Sequence, residues 1–204
     1  MDINLRHDQH IFIGGQNGTG KTTLAKALIR ARKHVVVLDP KNTFKDAAFG
    51  GTVVKRLSDL PKCKNPHIIY RPSVRNGERT KENMDLFFWW IYDRRNTTVY
   101  VDEAALISQV GKMPDGYLAC LVEGREIGIS VISASQRPKN IHNTIISESR
   151  HYFIFRLNLE SDREKIADII GDDAIKFIKP KKYFFWYFSP EDMEYPVMCN
   201  PLQI

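Results

Sequence analysis

The stretch over residues 11–29, IFIGGQNGTGKTTLAKALI, contains the spacing that most constrains the fold of this chain. From Gly15 to Thr22 it fits G-x-x-x-x-G-K-[ST], a glycine-rich turn whose backbone N–H groups surround a phosphate. A short apolar run, HIFI, precedes the turn, and a helical pattern over residues 21–32 follows it. A buried parallel strand, a loop and a helix N-terminus in this order predict an α/β fold with a nucleotide site.

The loop predicts roles for its polar residues. Lys21 is expected to reach the β- and γ-phosphates, Thr22 to hold Mg²⁺, and Thr23 to contact the α-phosphate. A glycine-rich turn without nucleotide is the alternative, but strand, loop, lysine, hydroxyl and helix occur here together. The predicted nucleotide-binding residues are Gly15, Gln16, Asn17, Gly18, Thr19, Gly20, Lys21, Thr22 and Thr23.

Two acidic residues at the end of another apolar run supply the expected partners of the bound phosphates. In TTVYVDE, Asp102 follows the run directly and would emerge at the carboxyl edge of a parallel sheet, where α/β proteins bind ligands. Asp102 is expected to complete the Mg²⁺ site with Thr22, and Glu103 to polarise the attacking water. A helix N-cap followed by a first-turn acid is the alternative, which DEAA also fits.

Two further side chains have expected roles near the γ-phosphate. Gln136 ends the apolar run SVISAS, and its amide is expected to sense the γ-phosphate; a strand-ending turn is the alternative. Arg125, in EGREIGIS, is expected to stabilise transition-state charge in a neighbouring subunit's site, an effect of roughly 10³–10⁵ in rate. A solvated helix arginine is the alternative for Arg125. Rival sources of the trans arginine are Arg71, Arg75 and Arg79.

Strand-like and helix-like patterns alternate along the chain, which predicts a mostly parallel central sheet with helices on both faces. A helix from about residue 117 is expected to carry CLVEGREIG and therefore Arg125, and a short helix is expected over residues 43–49. Another over residues 82–95 has a stripe expected to pack on the sheet: Phe87, Phe88, Trp90 and Ile91. The C-terminal KKYFFWYFSPEDMEYPVMCNP predicts a β-hairpin with Pro190 in its turn. No linker divides the sequence, so residues 1–204 are expected to form one domain.

Composition sets broad limits. The 204 residues carry 30 Lys and Arg against 24 Asp and Glu, a formal net charge of +6 and a pI near 9.2. This excess permits a nucleic-acid partner without requiring one. Cys63, Cys120 and Cys199 are widely separated and odd in number, which argues against a disulfide framework or a zinc site and favours a reducing interior. The most apolar stretch, LFFWWIY, is too short to span a bilayer, so no membrane insertion is expected.

Five segments in order, GGQNGTGKTT, VVVLDPKN, VYVDEAA, GREIGIS and ISASQRP, resemble the FtsK–HerA superfamily of DNA-translocating ATPases. The pairing of DPK with G-R-x-x-G and Q-R-P is more specific than the phosphate loop alone. In its length and layout the chain is most similar to the genome-packaging NTPases of archaeal turreted icosahedral viruses. The resemblance implies a RecA-like P-loop NTPase of the ASCE type, with another strand between those bearing Lys21 and Asp102.

The same resemblance implies ATP and Mg²⁺ as cofactors and a hexameric ring of identical chains around double-stranded DNA. It implies hydrolysis at subunit interfaces that moves DNA into a capsid, with a capsid or vertex protein as partner, in the host cytoplasm or on the virion. Matching motifs imply that Lys21 and Thr22 bind phosphate and Mg²⁺ and that Asp102 completes the Mg²⁺ site. They also imply that Glu103 activates water, that Gln136 senses the γ-phosphate and that Arg125 acts in trans as an arginine finger.

DNA contacts are expected to go mostly to phosphate groups and to weaken with salt. The candidates are Arg75, Arg79 and Lys81 in a basic loop over residues 72–83, and Lys112 in GKMPDG. Another basic cluster consists of Lys179, Lys181 and Lys182. Ordinary surface charge is the alternative for each of these residues.

Two other functions stay open from the residues alone. A nucleoside or nucleotide kinase also pairs a phosphate loop with a small α/β core, but it would leave Glu103 and Gln136 without a role. A nucleotide-gated assembly scaffold would bind ATP without moving DNA. Ring size, nucleobase preference and the roles of Asp39 and Lys41, which lie near the ligand edge, are not decided by the sequence.

Overall fold

The structure, a computed structural model, describes residues 5–172 and 182–202, so Lys179 and Lys181 lie outside the described residues. Within these ranges the strands are β1 (Ile11–Gly14), β2 (Val35–Leu38), β3 (Thr52–Val54), β4 (His67–Tyr70), β5 (Thr98–Val101), β6 (Ser130–Ser135), β7 (His151–Ile154), β8 (Phe185–Phe188) and β9 (Val197–Cys199). The helices are α1 (Lys21–Arg30), α2 (Lys81–Arg94), α3 (Asp115–Val122), α4 (Asn143–Ser147) and α5 (Glu160–Ile170).

These strands form one sheet in the order β3-β4-β2-β5-β6-β1-β7-β8-β9. The pairs from β3 to β7 are parallel, and β8 and β9 add an antiparallel hairpin with Pro190 in its turn. Strand β6 lies between β1 and β5, so one strand separates those that lead into Lys21 and Asp102. The predicted mostly parallel sheet, its C-terminal hairpin and the intervening strand are confirmed.

The central strands are buried on both faces, because the hydrophobic side chains of one strand alternate between two cores. In β2, Val36 and Leu38 belong to the core beneath α2 and α3, whereas Val35 and Val37 face α1. A continuous apolar run is therefore what this position in a parallel sheet requires. The same alternation in the other central strands explains why they read as unbroken apolar runs in the sequence.

The aromatic stripe of α2 packs inward as predicted. Phe87, Phe88 and Ile91 are fully buried, and Trp90 is partly buried against the same core. Phe88 also stacks on Tyr117 of α3, with ring centroids 4.1 Å apart and planes 2° from parallel. This side of the sheet is therefore covered by two helices in direct contact.

Two local expectations need correction, and one helix was not expected. The short helix expected over residues 43–49 is only a 3-10 turn at Ala47–Phe49, because the backbone is extended at Asp46, with φ −148° and ψ 99°, so a helical turn can begin only after it. Helix α3 begins at Asp115 and ends at Val122, so Arg125 lies on a separate 3-10 turn, Gly124–Ile127. Helix α4, five residues long, had no expected counterpart.

Gly116 is the residue that lets α3 approach α2. A Cβ at this position would lie 2.7 Å from Trp89 N and 2.8 Å from Asp85 O, both backbone atoms of α2. Backbone cannot rotate away as a side-chain tip can, so Gly116→Ala is expected to force the helices apart. We expect it to lower the free energy of unfolding by about 1–3 kcal/mol, measured by urea titration. Leu118→Ala, at an exposed position of the same helix, is the control; equal effects of the two variants would contradict the packing argument.

His10 is a buried neutral imidazole at the amino end of β1. Its Nδ1 accepts from Val131 N–H at 2.9 Å, which leaves Nε2–H to donate to the Leu121 carbonyl at 3.0 Å. Burial lowers the pKa of His10 to about 4 from 6.5. The unfolded chain therefore takes up a proton first as the pH falls.

We expect the contribution of neutral His10 to the free energy of unfolding to be fully present above pH 6.5. It should be lost as the pH falls from 6.5 to 4, which lowers the free energy of unfolding by about 3 kcal/mol. The measurement is the free energy of unfolding at several pH values in this window for wild type and His10→Asn, whose side-chain oxygen can still accept from Val131. The variant should show a flatter pH dependence, whereas His7→Asn, at an exposed position, should keep the wild-type slope. An unchanged slope in His10→Asn would contradict this assignment.

Among the described residues, no helix is both long enough and apolar enough to cross a membrane.

Candidate functional site

The phosphate loop joins the carboxyl end of β1 to the first turn of α1. Its backbone passes through positive φ at Gly15, Gly18 and Gly20, with values of 152°, 72° and 113°. A Cβ on Gly15 would lie 2.6 Å from the Phe155 Cβ, so a larger residue there would push on the chain that follows β7. The loop therefore has the backbone form that the sequence pattern predicts, with consecutive N–H groups available to an anion.

Lys21 is folded over the loop it belongs to. Its ammonium donates to the carbonyl oxygens of Gly15 at 2.6 Å and Gln16 at 2.9 Å. Burial lowers the pKa of Lys21 to about 8, and the charges of Glu103 and Asp102 oppose that shift. A phosphate in the loop would offer the ammonium charged oxygens in place of neutral carbonyls, which gives shorter and stronger hydrogen bonds.

Asp102 follows β5 at the same edge of the sheet, and hydroxyl groups orient both of its carboxylate oxygens. Tyr100 Oη donates to Oδ1 at 3.0 Å, and Thr43 Oγ1 donates to Oδ2 at 3.0 Å. The Thr22 side chain lies beside the same phenol and acts to lower its pKa, so one buried tyrosine adjoins both residues expected to hold Mg²⁺. Thr22 and Asp102 are thus brought together across β6, although they are far apart in the sequence.

The donor set here fits a magnesium ion. Burial raises the pKa of Asp102, while the hydrogen bonds from Tyr100 and Thr43 lower it, so a desolvated carboxylate faces the loop. A hard cation would relieve this desolvation, and Mg²⁺ in nucleotide sites typically takes one or two protein oxygens together with phosphate and water. In the part of the chain that the structure describes, no group of three or more His, Cys, Asp and Glu could hold a metal without such help.

Glu103 has an unusual backbone conformation, and its carboxylate accepts two hydrogen bonds. Its φ of 64° and ψ of 68° lie in the left-handed region, which costs a non-glycine residue about 1–2 kcal/mol. Oε2 accepts from Lys41 Nζ at 2.9 Å, and Oε1 accepts from the Gln136 N–H at 3.2 Å. The side chain forms no capping bond with the 3-10 turn that follows, so the geometry does not support the N-cap alternative.

Gln136 is placed at this edge by β6, beside the Glu103 carboxylate. Its backbone contacts Glu103, and its half-exposed side chain follows the end of the strand next to β1. Residues from three neighbouring strands therefore converge on the phosphate loop: Thr22 after β1, Gln136 after β6, and Asp102 with Glu103 after β5. The sequence predicted this convergence from the strand ends alone.

Sequence reasoning left the segment after β2 undecided, and the structure assigns it to the site. Asp39 is fully buried and accepts from Thr43 N, Phe44 N and Arg71 Nε at 2.9, 3.1 and 2.9 Å. These bonds hold the loop so that Thr43 reaches Asp102 and Lys41 reaches Glu103. The signal was a carboxylate at the end of the apolar run VVVL, but nothing in the sequence paired Lys41 or Thr43 with the later acidic residues.

Tyr100 was also missed, although a pattern could have indicated it. Alternate residues of a strand point to the same face, so Tyr100 and Asp102 share a side of β5. A tyrosine two residues before a ligand-edge carboxylate is a candidate to hydrogen-bond it. The structure shows that bond, and burial keeps the pKa of Tyr100 well above its usual value, so its hydroxyl remains a donor.

Arg125 lies at the opposite edge of the sheet from the loop. The turn Gly124–Ile127 precedes β6, and the Arg125 charge acts on Asp8 and His10, which precede β1. Four-residue strand β1 alone spans roughly 13 Å, so Arg125 cannot reach the phosphates of its own chain. Its guanidinium is exposed, so the expected role in trans stays a prediction.

The other candidates for the trans arginine lie at the ligand edge, and they differ in how firmly their side chains are held. Arg71 is held by Asp39 at 2.9 Å and donates to the Phe44 carbonyl at 2.6 Å, so it supports the loop after β2. Arg79 donates to the Pro40 carbonyl at 3.3 Å, while Arg75 is exposed. A nucleotide kinase usually has an arginine-rich lid, for which residues 71–81 are the candidate segment. Because Arg71 anchors the start of this segment, it makes a poor mobile lid.

Three of the four expected DNA contacts converge on one cleft. A cavity of about 520 Å³ lies between the amino end of α2 and the loop before α3, and its lining includes Arg79, Lys81 and Lys112. Arg75 is exposed outside this lining. Two basic segments that are separate in the sequence thus face each other across an open cleft at the nucleotide edge.

A smaller apolar cleft adjoins the other side of the phosphate loop. It has a volume of about 240 Å³, and its walls include Thr23, Phe155, Tyr183 and Phe185. A planar base can stack on aromatic side chains, so this cleft is where a nucleobase would fit once its phosphates occupy the loop. No sequence motif indicates such a pocket, because its walls come from four separate segments of the chain.

Comparisons with known proteins agree with this geometry. The family model of the AAA domain matches residues 4–135. The DNA packaging ATPase P9 of Enterobacteria phage PRD1 is 30% identical over 185 residues, covering 88% of this chain and 78% of that protein.

Two solved structures share the fold. The DNA-packaging ATPase B204 from Sulfolobus Turreted Icosahedral Virus has a TM-score of 0.75 at 19% identity, covering 96% of this chain and 98% of that chain. The genome packaging NTPase B204 from Sulfolobus turreted icosahedral virus 2, in complex with ATP-gammaS, has a TM-score of 0.76 at 17% identity, covering 98% and 100%. At these identities the structural likeness supports the fold.

Proposed function

Because the chain belongs to the AAA-domain P-loop ATPases of the FtsK–HerA type, we propose that it is a viral genome-packaging motor that hydrolyses ATP to move double-stranded DNA into a capsid. The observation that carries the proposal is the convergence of Thr22, Asp102 and Glu103 at one edge of the sheet, although they follow different strands. A nucleotide-binding scaffold would need the phosphate loop but not a buried acid beside it.

In this mechanism the loop and Lys21 bind the triphosphate, and Thr22 and Asp102 hold Mg²⁺. The ion, when bound, neutralises phosphate charge. Glu103 accepts a proton from the attacking water, for which its carboxylate must exchange the Lys41 ion pair for a hydrogen bond to water. We propose that the Gln136 amide senses the γ-phosphate, and the bond from its backbone N–H to Glu103 supports this role.

The cleft lined by Arg79, Lys81 and Lys112 is the proposed DNA contact. A chain of contacts joins it to the site, because Arg79 bonds to the Pro40 carbonyl and the next residue, Lys41, pairs with Glu103. DNA phosphates that attract Arg79 would therefore act on the loop that orients the acid. This arrangement supports a coupling between DNA binding and hydrolysis.

Several further features belong to the same proposal. The exposed Arg125, at the edge away from its own nucleotide, supports assembly into a ring of identical chains, for which we propose six subunits. A capsid or vertex protein is the proposed docking partner, in the host cytoplasm or on the virion. We propose residues 1–204 as one ATPase domain, which the single sheet supports.

The test is steady-state ATP hydrolysis with and without linear double-stranded DNA, at low and moderate salt. Wild type is expected to be stimulated by DNA, and the stimulation should fade as salt rises. Lys81→Gln and Lys112→Gln should reduce the ratio of stimulated to basal rate, while Lys55→Gln, at another exposed lysine, should leave the ratio unchanged. Faster ATP consumption with a nucleoside acceptor but not with DNA would indicate a kinase, and binding without turnover would indicate a scaffold.

A further inference from the structure

A second charged cleft lies at the edge of the sheet opposite the phosphate loop. Its volume is about 870 Å³, and it opens between the segment before β1 and the turn from α1 to β2. The turns that lead into β5 and β6 complete its walls. Its charged and titratable lining residues are Arg6, His7, Asp8, Arg32, Lys33 and His34.

Arg32 is the residue of this cleft whose guanidinium lacks an acidic partner. Its residue surface is only 6% exposed. Nη2 donates to the Arg6 carbonyl at 3.1 Å, whereas Nη1 is shielded from solvent without a hydrogen bond. Among the described residues, no carboxylate lies within ion-pair distance of the guanidinium, although burial disfavours its charge and lowers its pKa. A buried cation with an unused donor is destabilising unless an anion binds it.

The acidic residue of the cleft lining, Asp8, is already paired with another cation. Asp8 accepts from Arg6 through both oxygens, at 3.2 and 2.8 Å. Its pairing with Arg6 leaves Arg32 and the exposed Lys33 as two cations without a balancing acid among the lining residues. Two uncompensated cations around one open cleft favour a ligand with more than one negative charge.

We propose that this cleft binds a phosphate oxyanion, with Arg32 as its buried donor and Lys33 as its solvent-side cation. A guanidinium presents its N–H groups in a planar fork that matches phosphate oxygens. Nη1 has no hydrogen bond and is shielded from solvent in this conformation, so binding requires the guanidinium to turn until Nη1 faces the cleft. An anion here would satisfy Nη1 and restore the charge balance that Asp8 cannot provide. The site is separate from the phosphate loop, because the two lie at opposite edges of the sheet.

Two sources could supply the phosphate: a nucleotide held by a neighbouring copy of the chain, or the backbone of DNA. The first is suggested by Arg125, whose charge acts on Asp8 and whose turn leads directly to Gly128 in the cleft wall. Assigning the source rests on the proposed function, whereas binding of the oxyanion itself does not. The test therefore measures the two separately.

The experiment uses Lys21→Ala, which weakens the phosphate loop, as the background for every variant. Binding of inorganic pyrophosphate is measured by isothermal titration calorimetry, and binding of duplex DNA by fluorescence anisotropy. Adding Arg32→Lys should weaken binding of the recognised phosphate by roughly 10-fold to 100-fold, as expected for losing one charge-assisted hydrogen bond. Lys33→Ala should weaken it less, and Lys64→Ala, an exposed lysine before β4 outside the cleft lining, should not.

Loss of pyrophosphate affinity in Arg32→Lys supports the site with a nucleotide source, and loss of DNA affinity alone supports it with a DNA source. Neither result depends on hydrolysis, so a failure of the motor hypothesis would appear separately. Arg32→Lys and Lys33→Ala that bind both probes as tightly as Lys64→Ala would overturn the proposal. If Arg32→Lys only lowers the melting temperature and leaves the affinity for both probes unchanged, the proposal is likewise overturned and Arg32 has a purely structural role.

Discussion

Glu103→Gln is expected to reduce ATP turnover by roughly 10²–10⁴-fold, while ATP binding persists. The amide keeps the size of the carboxylate and can still accept from the Gln136 N–H, but it cannot take a proton from water. The measurements are steady-state phosphate release and equilibrium binding of a fluorescent ATP analogue.

Glu194→Gln is the matched control, because Glu194 is exposed in the segment between β8 and β9, away from the phosphate loop. It removes the same charge without touching the site. If Glu103→Gln keeps more than roughly a tenth of the wild-type rate, the loss is far too small for an enzyme that lacks its general base. That outcome would direct attention to another group as the proton acceptor.

Arg125→Ala is expected to lower turnover by roughly 10³-fold or more if the arginine completes a neighbouring site. The guanidinium lies too far from its own phosphate loop to act there, so its effect must depend on assembly. Arg56→Ala, which removes another exposed arginine, is the control and should retain activity. The rate should be measured at protein concentrations above and below those at which the chain assembles.

Mixing the two inactive variants tests the direction of this contact. In a mixed ring, an Arg125→Ala subunit keeps Glu103, and a Glu103→Gln neighbour supplies the missing arginine. Such interfaces should regain activity, with a maximum when both variants are present. A mixture as inactive as its components, in rings shown to contain both, would rule out action in trans.

Much of the fold could be predicted because its evidence is local in the sequence. Each central strand is an apolar run of four to six residues, and each ends at a turn, an acid or a proline. The phosphate loop could be recognised from the sequence for the same reason. Its motif residues are close in the chain and their roles depend on spacing: Gly15, Gly20, Lys21 and Thr22. Strand ends also indicated Asp102, Glu103 and Gln136, since parallel strands bring their carboxyl ends to one edge.

The error over residues 43–49 arose where tertiary contacts fix the backbone. These residues had the composition of a short helix, but the buried Asp39 carboxylate holds the N–H groups of Thr43 and Phe44, and the chain is extended at Asp46 before the 3-10 turn begins. No local pattern reveals this arrangement, because Asp39 is itself held by Arg71, which follows another strand. The same anchoring explains why Arg71 supports the loop and is not free to serve a neighbour.

The sequence by itself determined the parallel sheet, the phosphate loop and the acids that face it. Only the tertiary structure decided that Lys41 pairs with Glu103, that Tyr100 adjoins both Thr22 and Asp102, and that Arg125 faces away from its own site. Lys41 and Glu103 lie 62 residues apart, and such contacts depend on strand order and chain path. Periodicity and spacing describe neighbours along the chain, whereas these interactions join neighbours across the sheet.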